Sequence, residues 1–158
     1  MYTVNQFVQD LRESQWLICQ CVFELYLLVL SVMDLRTRQL NLVFLSAGIV
    51  PVIAGGFCER KIHPVLLIAG GGVGIVFLLT SRMTKESFGY GDSILILIMG
   101  CFLGFWDLMS VLAAAFLLAA VFSAVMLWRK KFSRRSSFPF VPFLAAAYTG
   151  GMLFGIFG

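Results

Sequence analysis

The sequence predicts an all-α polytopic membrane protein, a bundle of about six transmembrane helices. Two observations carry this. Of 158 residues, 60% are hydrophobic and 13% are charged, with a mean hydropathy of +0.94, whereas soluble chains are nearer half apolar and a quarter charged. The few charges are also gathered into short clusters that separate long charge-free runs. Little chain is left over for a soluble domain, so 1–158 reads as one integral-membrane domain with a short polar segment at 1–14. That segment is mixed in charge, unlike the basic start of a cleavable signal peptide.

The spans follow in order. The first is the run 25–33, extended back to Trp16 across Glu24 and ending at Asp34. Next come 39–58, 62–81, 93–106, 108–128 and 136–158. Most approach the ~20 residues that a spanning helix needs. Gly70, Gly71, Gly72 and Gly74 fall in mid-span and predict close helix packing rather than a phosphate loop. The fourth run is short: its length gives roughly 21 Å against a hydrocarbon core of about 30 Å. Taking in 88–92 would repair the deficit and bring the GYGD stretch inside the membrane boundary. There Gly89 and Gly91 are expected to permit backbone conformations closed to other residues, or the close approach of a substrate strand. Such irregular backbone must be covered by protein or line a wet cavity. A tight join between the fourth and fifth helices is expected around Trp106 and Asp107.

The basic residues set the expected orientation. Arg36, Arg38, Arg82, Lys85, Arg129, Lys130, Lys131, Arg134 and Arg135 follow the odd-numbered helices, while only Arg12, Arg60 and Lys61 fall on the other side. Lys and Arg collect in cytoplasmic loops, so the first set is expected in the cytoplasm and both termini outside. Asp34 then ends helix 1, and Asp92 begins helix 4, at the same cytoplasmic face. The excess of +4 reads as topology and contact with the lipid bilayer. No basic face stands outside the membrane for nucleic acid to bind.

An acid at a membrane boundary is costly and marks a functional site by default. Two that meet suit the hydrolysis of an amide, which needs a base to activate water and an acid to protonate the departing amine. Two adjacent carboxylates sharing one proton supply both. No competing set is evident. The one histidine, His63, precedes Pro64 and reads as a boundary residue, and the four cysteines, Cys19, Cys21, Cys58 and Cys101, form no C-x-x-C pair. No metal or other cofactor is expected. The serines of 133–137 read as a solvated basic loop, and Asp107 as a solvated turn at the opposite face. Glu24 lies ten residues before Asp34, roughly 15 Å along the helix. It is expected to bond to a polar neighbour inside the bundle.

Asp34 followed by LRTRQLN, then Gly89-Tyr90-Gly91-Asp92, then a late FPFVPFLAAAYTGG, resembles the type IV prepilin peptidase family of GxGD intramembrane aspartyl proteases. That family's first aspartate ends a helix before a basic turn, often D-x-R-x-x-x-I-P-N; here Leu40 and Asn41 stand where Ile-Pro would. The G-x-G-D is intact. The late segment is similar to the family's I-P-F-x-P-F-L-A, with Phe138 for the isoleucine. The resemblance implies catalytic roles for Asp34 and Asp92, backbone positioning of substrate by Gly89, Tyr90 and Gly91, and prepilin or pseudopilin substrates cut after a short basic leader at the cytoplasmic membrane. Larger members also methylate the new N-terminus and carry paired C-x-x-C motifs. The sequence has none, so it resembles the compact, peptidase-only form. Readings from other classes are a small proton-coupled transporter, which intramembrane acids also suit, and a pilus-assembly scaffold in which both aspartates are dispensable. The sequence gives no oligomeric state.

Overall fold

The computed structural model describes residues 2–37, 42–57, 63–83, 89–128 and 139–155. All regular structure among them is helical: α1 (Tyr2–Thr37), α2 (Leu42–Ser46), α3 (Ile49–Phe57), α4 (Pro64–Met83), α5 (Tyr90–Leu103), α6 (Phe105–Trp128) and α7 (Val141–Leu153). Taking α2 and α3 as one broken helix, these are the six expected segments. Three are long and apolar enough to cross a membrane: Ser14–Arg36, Pro64–Met83 and Phe105–Trp128. Val43–Gly56, Tyr90–Leu103 and Val141–Leu153 are shorter apolar helices.

The break between α2 and α3 has a local cause. Pro51 has no N–H to give to the carbonyl of Ala47, four residues back. That carbonyl instead accepts from Val50 at 3.1 Å, and the chain turns through Ala47 and Gly48. From α1, the Tyr26 hydroxyl donates to the Leu45 carbonyl at 3.0 Å. It lies where a Cβ on Gly48 would stand.

The fourth span departs from expectation in two ways. It stays at 14 residues instead of reaching from 88 to 106, and the join falls at Gly104 rather than at Trp106 and Asp107. Gly104 has φ 83° and ψ 179°, a conformation essentially closed to residues with a Cβ. Its carbonyl already accepts from Leu108 at 3.2 Å, so α6 starts at once. Asp107 lies in the first turn of α6.

Gly70 and Gly74 of α4 pack closely as the sequence predicts, whereas Gly71 meets only the Cys101 sulfur and Gly72 has open space beside it. A Cβ on Gly70 would strike the Gly100 carbonyl, one on Gly74 would strike the Leu97 backbone, and one on Gly100 would strike Gly70. The two helices therefore run antiparallel with their backbones in contact, the close approach that small residues allow. The other seams meet on a core that includes Phe23, Leu27, Leu30, Leu95, Met99, Leu103, Leu144 and Tyr148. Phe23 of α1 stacks on Phe102 of α5 at 4.3 Å between ring centres, and meets Tyr148 of α7 edge-on at 5.4 Å. His63 is exposed at the start of α4, its carbonyl accepting from Leu66 at 2.8 Å.

Candidate active site

The buried face of α1 reads Gln20, Phe23, Leu27, Leu30, Ser31 and Asp34, spacings of three and four that form one helical stripe. Asp34 is thus carried into the bundle, at 7% exposure. On α5 the chain runs the opposite way. Stepping eleven residues from Phe23 to Asp34, and ten back from Phe102 to Asp92, covers nearly equal rise on each helix. The stacked rings at one end therefore imply the two carboxylates at the other. Asp34 does lie close enough to Asp92 for its charge to act on it.

Each carboxylate also meets a helix N-terminus. Asp92 is in the first turn of α5, whose N-cap is Gly89. It occupies the third helical position, from which an acidic side chain turns back toward the cap. Its Oδ2 would stand 2.8 Å from a Cβ on Gly89. Asp34 accepts a hydrogen bond from the backbone N–H of Val141, the first residue of α7. Its Oδ2 is buried without a hydrogen-bond partner among the described residues. Free N–H groups and the helix dipole make such ends suited to anions.

The GYGD backbone corrects one expectation. Gly89 has φ −53° and ψ 122°, open to any residue, and Tyr90, Gly91 and Asp92 are already helical. Space, not a left-handed backbone, accounts for glycine at 89, since the Asp92 carboxylate folds over it. Tyr90 is exposed and Gly91 half-buried at the mouth of α5. Ser93, fully buried, lies 3.3 Å from both the Phe77 and Gly89 carbonyls and so ties the start of α5 to α4.

Three partners were not read from the sequence: the Val141 amide, Ser93 and Thr149. Pro142 is a usable signal for the first, because proline favours the opening positions of a helix; α7 does carry it there. Glu24 finds its polar neighbour across the α1–α7 seam, where Thr149 Oγ1 bonds to Glu24 Oε1 at 2.5 Å. Among the described residues no three His, Cys, Asp or Glu side chains gather as metal ligands do. A groove of about 330 Å³ between α6 and α7, lined by Ser110, Ala114, Ala147 and Gly151 among others, is apolar and holds no acid. Of the sequence-derived candidates, Arg38, Lys85, Cys58 and the basic 129–135 stretch lie outside the described residues.

The chain is similar to the prepilin leader peptidase/N-methyltransferase of Burkholderia pseudomallei, 30% identical over 135 residues, 82% of this chain and 44% of that protein. It is also similar to the protein of the same name from Xanthomonas campestris pv. campestris, 31% identical over 136 residues, 80% of this chain and 46% of that protein. The chain thus spans less than half the length of these relatives. No solved structure matches it. Residues 21–124, which include both Asp34 and Asp92, match the type IV leader peptidase family, and the chain belongs to that family.

Proposed function

We propose that the chain is an aspartic endopeptidase that removes the short basic leader of prepilin- and pseudopilin-like proteins. The observation that carries this is that Asp34 and Asp92, on two antiparallel helices at one end of the bundle, lie close enough for the charge of one to act on the other. The printed names of the relatives support the substrate class. In this reading the pair holds one proton. The ionised carboxylate takes a proton from a water molecule as that water adds to the scissile carbonyl. The protonated one gives its proton to the departing amine as the C–N bond breaks. The proton lost and the proton gained leave the pair ready for another cycle. Gly89, Tyr90 and Gly91, at the mouth of α5, lie where an extended substrate strand would pass. A basic leader suits a site built from two acids.

The Asp end of the bundle faces the cytoplasm in this proposal, with both termini outside the cytoplasmic membrane, from the sorting of basic residues. By its resemblance to the compact form, the segment 1–158 is proposed to cleave without methyl transfer. Co-expression with candidate prepilins, followed by sequencing and mass measurement of their mature N-termini, tests all of this. Cleavage just after a basic leader, giving an unmethylated new terminus, is the expected result. An uncut leader overturns the peptidase reading, and an added methyl absent from an enzyme-free control overturns the peptidase-only form.

A further inference from the structure

The α1–α7 seam holds a half-buried acid, Glu24, that the hydrolytic scheme does not use. Glu24 lies ten residues from Asp34 on α1, and Thr149 lies eight residues from Val141 on α7. The two helices run antiparallel, so the Thr149–Glu24 bond and the Val141–Asp34 bond pin the same pair of helices about 12 to 15 Å apart. The Thr149 hydroxyl is itself held against its own helix, 2.9 Å from the Ala145 carbonyl. Glu24 Oε2 has no hydrogen-bond partner among the described residues, an expensive state for a carboxyl among apolar side chains. A leucine there would pack without that cost, so packing does not account for the acid.

Besides these bonds, the seam has a ring contact, Tyr148 of α7 edge-on to Phe23 of α1. The buried residues of α7 after Val141 are Leu144, Ala145, Ala147, Tyr148 and Gly151. Three of these five are Ala or Gly, and apolar contact is non-directional. Among the buried residues of this face after Val141 only Leu144 and Tyr148 are large, so few contacts resist a shift of α7 along α1 by the rise of one residue. One residue is 1.5 Å, enough to take the Val141 amide out of hydrogen-bond range of Asp34. We propose that Glu24 and Thr149 are positioning residues, which lock α7 in register on α1 and so keep the Val141 amide on Asp34. The proposal rests on the reading of Asp34 as one of the two reacting acids.

The test compares Thr149→Val, nearly isosteric but without the hydroxyl, with Thr149→Ser, which keeps it, and Glu24→Leu with Glu24→Gln. Two quantities are measured in detergent on folded protein: kcat and KM for leader removal, and hydrogen exchange at the Val141 amide. The lock predicts a kcat lower by about tenfold to a hundredfold in Thr149→Val at nearly constant KM, since displacements near 1 Å cost that much. It predicts faster exchange at Val141 in the same variant. Thr149→Ser and Glu24→Gln, which still bond across the seam, recover most of the rate and the slow exchange, and Glu24→Leu does not. Wild-type kcat and exchange in Thr149→Val overturn the proposal. So does a loss confined to thermal stability with kcat per folded molecule unchanged. If the wild-type chain cleaves no leader, the peptidase reading falls, and the exchange comparison still decides whether the lock exists.

Discussion

Asparagine in place of Asp34 or Asp92 keeps the side chain's shape and removes its capacity to carry or accept a proton at carboxylate oxygens. In the proposed scheme either change breaks the same acid–base pair. Leader removal should fall by at least about 100-fold in each single variant, with membrane insertion intact, and the double variant should be little worse than either one. Near wild-type processing in one of them would show that the pair does not act as a unit. Gly89→Ala probes a narrower point. The backbone at Gly89 suits alanine, so the stability cost should be small. The new methyl would press on the Asp92 carboxylate, within 2.8 Å of Oδ2. A reduced kcat with an unchanged melting temperature is expected from paired activity and unfolding assays; equal kcat would show that the carboxylate has another place to go.

The helix pairs divide the labour of holding the two acids. The α4–α5 pair is fixed by backbone contact at Gly70, Gly74, Leu97 and Gly100, and by Ser93 at its Asp end. An alanine at Gly70 or Gly74 has no room and must part the helices, at about 1–3 kcal/mol. Thermal unfolding should show that loss, while cleavage per folded molecule is retained in Gly70→Ala, which lies far along α4 from Asp92. Number and order of helices were legible in the sequence because charges are excluded from the hydrocarbon, so the clusters at 34–38, 59–61 and 82–86 mark where helices stop. Glycine packing in α4 was legible for a similar reason: a run of small residues in mid-span has few other uses. The end of α5 was not, because Gly104 stops it without any change in polarity. Nor was the contact of α7 with Asp34, since which N–H meets that carboxylate depends on register between residues 107 positions apart, and no local pattern encodes register. The reason for glycine at 89 was misread for the same cause: an open φ and a crowded neighbour look alike in one dimension.

For the molecule as a whole, orientation is the proposal most open to direct measurement. Reporter fusions at Thr37, Thr84 and Ser133 should register the cytoplasm, and fusions at Cys58 and Asp107 the opposite side. A reversed pattern would place both aspartates on the wrong face for a cytoplasmic leader. The lengths of the helices add something else. α5 and α7 have 14 and 13 residues, about 20 Å of rise each, and both begin at the Asp end of the bundle. A bilayer some 30 Å thick overhangs them by about 10 Å. Lipid answers such mismatch by thinning locally, and a dimple at the Asp end would carry bulk water down to a reaction that consumes it. The composition of the surrounding lipid then becomes a control on turnover. In proteoliposomes of graded acyl-chain length, leader removal should slow as the chains lengthen while the amount of folded protein stays constant; a rate indifferent to thickness would mean that water reaches the acids by a route inside the protein.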